Sequence, residues 1–185
     1  MPYEPPPELA GLSLAEIAEL VAARKLPPVD QWSPERTGDS LMRIAADGRW
    51  YHDGGEITRP AMVRAFASLL LRDEAENGDG RHWLVTPQEK LSIAVEDAAF
   101  IAIDVKRDGD ALAFRLNTDD LVIAGPDHPI RAAGDPDVPA IYLGVRQGTE
   151  ARLNRSSYIQ LIDIAIEAGN LTVTSQGATF SLVPA

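Results

Sequence analysis

The sequence predicts an α+β protein of two domains, built from a duplicated β-hairpin–helix–β-hairpin unit, with a small antiparallel barrel forming the C-terminal domain. Three observations carry that expectation. Apolar residues recur at helical spacing in only three stretches, they alternate at period two through most of the remainder, and two hairpin–helix–hairpin stretches align on each other. The predicted domains are 1–96, holding a helical arm and the first repeat, and 97–185, holding extra strands and the second repeat.

The elements follow from local signals. After a proline-rich start, Ser13 and Glu16 form a capping box, and Leu14, Ile17, Ala18 and Val21 place one apolar face on a helix over roughly 13–24. Pro27 and Pro28 end any continuation. LMRIA and RWYH flank an Asp47-Gly48 turn and read as a hairpin. Thr58-Arg59-Pro60 starts a second helix, whose stripe is Met62, Val63, Phe66, Leu69 and Leu70. The acidic run DEAENGDG lacks the alternating oxygen ligands and closing glutamate of a calcium loop. Strands HWLVT, KLSIAV, FIAIDV, ALAFRLN and DLVIA follow. The stretch GPDHPIRAAGDPDVP reads as a loop, IYLGVR and TEARL as a hairpin, Asn154 to Gly169 as a third helix, and LTVTS with ATFSLV as a last hairpin.

The repeat superposes Gly48 on Gly148, Thr58-Arg59 on Asn154-Arg155, and Met62, Val63, Phe66 and Leu70 on Tyr158, Ile159, Ile162 and Ile166. Each copy would turn that helix stripe toward a sheet. Several antiparallel strands followed by a closing helix resemble a pleckstrin-homology domain in outline.

Composition narrows the function classes. A net charge of −11 over 185 residues opposes attraction to nucleic-acid polymers or anionic membranes, yet leaves room for a local basic pocket. Zero cysteines removes disulfides, thiol nucleophiles and thiolate metal sites. The start MPYEPPPEL shows no signal-peptide pattern, and no apolar run reaches bilayer length, so the expected location is the cytoplasm. Dinucleotide-binding, P-loop, nucleophile-elbow and zincin motifs are all missing. His52, His82 and His128 lack metal-ligand spacing, and neither Glu96-Asp97 nor Asp119-Asp120 forms a natural catalytic pair, because adjacent strand residues face opposite ways. No catalytic residue, cofactor or metal is therefore assigned, and the chain is not expected to be an enzyme.

Three segments carry more polar specificity than their local structure needs. TPQEKLSIAVEDAAF places Glu89 and Lys90 at a turn entering a strand. FRLNTDDLVIAGPDHPIR carries Asn117, Asp119, Asp120, His128 and Arg131. VRQGTEARLNRSSY brings Arg146, Arg152, Arg155 and Tyr158 to a hairpin and a helix start, where arginine forks and unpaired backbone N–H groups suit carboxylate or phosphate. Glu89, Lys90, Asn117, Asp119, His128, Arg131, Arg146, Arg155 and Tyr158 form the candidate ligand set. The competing reading is that each is a capping, turn or ion-pair residue.

These segments, with PPVDQW, GDSLMRIAADGRWY and the helix after Arg59, resemble an uncharacterised bacterial family, domain of unknown function 1285, over roughly residues 27 to 165. The resemblance implies a duplicated core in two domains, a groove between them for a small anionic, nucleotide-like ligand, and a role in signal transduction. The family has no established catalytic residues to carry over. The chain departs from the family pattern mainly in the acidic loop at 73–80 and in details of the second helix. The alternatives to a sensing module are a protein-interaction adaptor and, third, an enzyme of unrecognised mechanism.

Overall fold

Two strands that run parallel at the centre of a mixed sheet organise each half of the molecule. The structure is a computed structural model and describes residues 9–74 and 80–185. It divides into two units: a first of residues 25–99 with 146–149, and a second of residues 100–145 and 150–185 that also takes in the described residues up to Arg24.

In the first unit, β1 (Arg36–Ile44), β2 (Trp50–His52) and β3 (Gly55–Glu56) form one antiparallel meander. Helix α2 (Pro60–Ala67) leads into a second, made of β4 (Leu70–Asp73), β5 (Arg81–Val85) and β6 (Glu89–Val95). The sheet order is β3-β2-β1-β6-β5-β4, joined by the parallel pair β1–β6. The register jumps there from Asp39 opposite Ser92 to Arg43 opposite Ala94, so β1 carries extra residues in a bulge. Its backbone is satisfied locally: Asp39 Oδ1 accepts the Leu41 N–H at 2.9 Å, and Ser40 Oγ accepts the Met42 N–H at 3.1 Å. Beyond the bulge Ile44 and Trp50 return to the core, 0% and 1% exposed.

In the second unit, β7 (Phe100–Asp108), β8 (Ala111–Leu116) and β9 (Leu121–Ile123) form the first meander. The second comprises β10 (Ile130–Asp135), β11 (Val138–Gly144) and β12 (Glu150–Leu153). The order is β10-β11-β12-β7-β8-β9, again joined by a parallel pair, β12–β7. Strand for strand, β7–β12 repeat the arrangement of β1–β6. The sheet ends in β10 and β9, which do not pair with each other, so the expected barrel is not closed.

Helix α1 (Leu14–Ala23) belongs to this second unit. Its capping box is present, with Ser13 Oγ accepting the Glu16 N–H at 3.2 Å. Asp108 accepts the Leu14 N–H at 2.7 Å, and Leu9, Leu12 and Ile17 pack on Ala113 of β8. Helix α3 (Arg155–Glu167) starts at Asn154, whose side chain accepts the Ser157 N–H at 2.9 Å. Strands β13 (Thr172–Ser175) and β14 (Ala178–Ser181) make a separate two-stranded sheet.

Several expectations need correction. The second helix ends at Ala67, and Leu70, expected on its stripe, instead opens β4 and is 1% exposed. The expected loop at 125–139 contains β10, hidden in the sequence by Pro129 and Gly134; as an edge strand it tolerates both. Helix α3 buries Ser157, Leu161 and Ala165, not the expected stripe, and Ile159 and Ile166 are 48% and 61% exposed. The strand equivalence also differs from the expected repeat: β5 and β6 pair within the first sheet, whereas β13 and β14 stand apart from the second. The acidic loop falls largely on residues 75–79, outside the described residues.

Within the first unit the Arg72 N–H donates to the Gln147 carbonyl at 2.8 Å. Gly148 has φ +76, and a Cβ there would sit 2.4 Å from the Arg72 carbonyl oxygen. Gly148→Ala combines left-handed strain with a backbone clash and is expected to cost roughly 2–4 kcal/mol of stability. Gly109→Ala, at φ +59 with nothing within 4 Å, should cost about 1 kcal/mol. Urea denaturation of the two variants measures the difference, and equal costs would contradict the close approach.

Candidate functional site

The register of the second sheet assembles a row of side chains. Arg131 on β10 stands opposite Tyr142 on β11, Tyr142 opposite Arg152 on β12, and Arg152 opposite Ile101 on β7. Cross-strand partners share a face, so these four side chains project the same way. The Arg131 guanidinium lies 4.2 Å from the Tyr142 ring centroid and that of Arg152 6.0 Å away. Tyr142 is 9% exposed, while both arginines reach the surface.

Glu150 completes the cluster. Arg131 Nε and Nη2 donate to its two carboxylate oxygens at 2.6 and 2.8 Å, a forked geometry that holds the guanidinium plane. The carboxylate can cross β11 because its partner there is Gly144, which offers no side chain. A Cβ at Gly144 would meet Pro129 Cδ at 2.9 Å, so the strand packs too closely for a larger residue. His128 is tied to the same place, its Nδ1 donating to the Gly144 carbonyl at 3.1 Å. Two guanidiniums and one carboxylate thus gather around one ring on a chain of net charge −11.

The first unit carries a related cluster. Trp83 sits on β5, the strand that matches β11 in the order of the sheets. Lys90 Nζ lies 4.5 Å and the Arg81 guanidinium 5.6 Å from its ring. Asp73 Oδ2 accepts from Trp83 Nε1 at 2.9 Å and from Lys90 Nζ at 3.5 Å. The aromatic ring on the middle strand of each second meander thus has two cations and a carboxylate near it, drawn mostly from the flanking strands.

The structure brings His128 and Arg131 together, and it scatters the other candidates. Lys90, Glu89 and Arg146 belong to the first unit. Glu89 pairs beside Arg36 and its N–H donates to Thr86 Oγ1 at 3.1 Å, a turn role. Arg146 Nη2 donates to the Ala67 carbonyl at 3.4 Å. Asn117 holds the end of β8 to β7, its Oδ1 accepting the Ile101 N–H at 3.0 Å. Arg155 is the exposed first residue of α3, and Tyr158 is half-buried one turn on.

Sequence reasoning missed Tyr142, Glu150, Trp83, Asp73 and Arg81. A hairpin counted outward from the bond between Arg146 and Thr149 would set Tyr142 against Leu153. The strand pairs instead begin at Gly144–Glu150, with Val145 as the extra residue. One bulge therefore decides which face carries the arginines.

Asp119 and Asp120 occupy the turn before β9 and not a strand, and each has an arginine. Asp120, 5% exposed, accepts from Arg24 Nε at 2.8 Å and from Thr118 Oγ1 at 2.7 Å. Asp119, at φ 65, accepts from Arg115 Nη2 at 2.6 Å. Burial, followed by the neighbouring Asp120 charge, nevertheless raises the Asp119 pKa above the ordinary aspartate value. Between the ordinary and the raised value the folded state binds more protons than the unfolded chain, so this group's contribution to stability falls as pH rises. Asparagine tolerates positive φ. Asp119→Asn should therefore gain stability relative to the parent as pH rises from the ordinary aspartate range toward neutral. Thermal melts across that range check this, and a relative loss would contradict the raised pKa.

Among the described residues no group of three or more His, Asp or Glu is placed to hold a metal ion, and no helix is long and apolar enough to cross a membrane. The fold is that of a two-domain α+β protein whose domains each hold a six-stranded mixed sheet and helix. A family model described as "Domain of unknown function (DUF1285), N-terminal domain" matches residues 27–98, and "Protein of unknown function (DUF1285), C-terminal domain" matches residues 99–182. The chain belongs to the DUF1285 family. It is 39% identical to a DUF1285 family protein from Silicibacter pomeroyi DSS-3, whose crystal structure matches with a TM-score of 0.74 over 93% of this chain and 95% of that one. A DUF1285 family protein from Shewanella baltica OS155, 24% identical, shares the fold at a TM-score of 0.53 over 67% of this chain and 91% of that one. No curated protein matches the chain.

Proposed function

We propose that this protein is a non-enzymatic ligand-binding module that takes a small phosphate-bearing anion, of the nucleotide kind, and serves a sensing role. The observation that supports the reading is the pair of guanidiniums at Tyr142. Arginine matches phosphate through forked donors, and the ring beneath holds both cations in place at little entropic cost. Glu150 occupies the Arg131 fork in the manner of an internal carboxylate. A dianionic phosphate offers that fork a stronger acceptor, and its arrival would release Glu150 from Arg131, giving binding a structural consequence. Arg152, on the surface beside the ring, supplies the second contact. Lys90 and Arg81 around Trp83 give the first unit a cluster of similar construction.

We also infer that the two units descend from one doubled unit, on the strength of their common strand order. A second functional reading, docking of a protein partner, draws on the exposed apolar residues of α3.

Thermal-shift titration with AMP, ATP and inorganic phosphate tests the leading reading. At ligand concentrations about a hundred times Kd, stabilisation should reach about 2.7 kcal/mol. Arg131→Ala and Arg152→Ala should each weaken binding by about tenfold or more, and salt should weaken it in the parent. No shift with any probe, or shifts that both variants retain, would sink the proposal.

A further inference from the structure

The Arg131 fork already holds an anion in the free protein, and the way it does so bears on which ligands can replace it. Nε and Nη2 lie on one edge of the guanidinium, and both donate to the two oxygens of Glu150, at 2.6 and 2.8 Å. Glu150 stands two residues before Arg152 on β12, so the two side chains leave the same face of the sheet. It reaches Arg131 past Gly144, which has no side chain to stand between them. The pair is open to exchange, because the Arg131 side chain is 51% exposed and that of Glu150 19%. Solvent-screened pairs of this kind are weak enough for a ligand to displace.

We infer, building on the phosphate reading of the Tyr142 cluster, that the site selects phosphate monoesters through two residues with separate tasks. Glu150 is an internal competitor that sets the affinity threshold. It offers the fork two oxygens and one negative charge, as a phosphodiester does, so a diester gains little by replacing it. A monoester has three non-bridging oxygens. Two take the fork, and the third is left for Arg152. Both guanidiniums lie about the same ring, that of Arg131 4.2 Å and that of Arg152 6.0 Å from its centroid. The second negative charge that a monoester carries above its second ionisation strengthens that contact.

The two residues therefore act on different quantities. The carboxylate has to leave the fork whichever ligand arrives, so Glu150 lowers the affinity for monoester and diester by one common factor. Arg152 has an oxygen to bind only in the monoester, so it sets the ratio between the two. The site takes a terminal phosphate and passes over a phosphate esterified on both sides, as in a cyclic nucleotide or a polymer.

Isothermal titration calorimetry of the full chain with AMP and with the methyl diester of AMP tests the inference. It is run at fixed ionic strength and mildly alkaline pH, where the monoester is doubly charged. The parent should bind AMP at least about tenfold tighter than the diester. Arg152→Ala should bring the two within about threefold, mostly by weakening AMP. Glu150→Gln should tighten both by about threefold or more and leave their ratio unchanged. Glu150→Asp, too short to span the gap at Gly144, should act in the same direction. Equal binding of the two probes by the parent overturns the monoester assignment and spares the phosphate reading. A preference that survives Arg152→Ala overturns the role of that residue, and binding that is unchanged or weaker in both Glu150 variants overturns the competitor. If neither probe binds the parent or any variant, the phosphate reading falls and this inference with it.

Discussion

Everything in this fold hangs on a parallel pairing of strands that are far apart in the chain. Within each unit the first and last strands of the sheet, β1 with β6 and β7 with β12, lie side by side at its centre. Among the described residues every other pairing of named strands is antiparallel and links neighbours in sequence. The meanders can form locally, at little loop-closure cost. The central pair has to close a loop of two meanders, and it turns two marginal three-stranded ribbons into one sheet with a continuous face to bury.

That constraint reaches the candidate site directly. The registers of β10 on β11 and β11 on β12 line up Arg131, Tyr142 and Arg152, and the docking of β12 on β7 continues that row to Ile101. Shifting any of those pairings by one residue would send an arginine into the core, which burial of an unpaired charge forbids. The absent side chain of Gly144 then lets Glu150 meet Arg131 across the strand between them. A glycine, a bulge and an ion pair therefore act as one arrangement. Its stability cost is modest because the charged groups remain at the surface, where solvent screens them.

Local chemistry was legible from the residues. Ser13 and Asn154 cap α1 and α3 as their side-chain oxygens dictate, the period-two stretches became strands, and the family resemblance drawn from long segments holds over both domains. What escaped was structure whose cause lies elsewhere in the chain. β10 reads as a loop because Pro129 and Gly134 punctuate it, yet an edge strand has one unpaired side on which neither residue does harm. Leu69 and Leu70 extend the helical period of α2, but Leu70 pairs with Leu84 and begins a strand. The second sheet was expected to close, and a strand count alone does not distinguish a closed barrel from an open sheet.

The sequence by itself determined the helix starts, the turns, the alternation of the strands and the family, since each depends on residues a few positions apart. Tertiary structure alone decided which side of α3 faces the sheet. Tyr158, Ile159, Ile162 and Ile166 outrank Ser157 and Ala165 in hydrophobicity, yet the small residues are the ones that fit against the strands, with the Ser157 hydroxyl donating to the Ala102 carbonyl at 2.7 Å. Close packing rewards complementary shape over bulk. Likewise, the meeting of Arg131, Tyr142, Arg152 and Glu150 rests on inter-strand register, which is set by hydrogen bonds between segments that carry no mark of each other in the sequence.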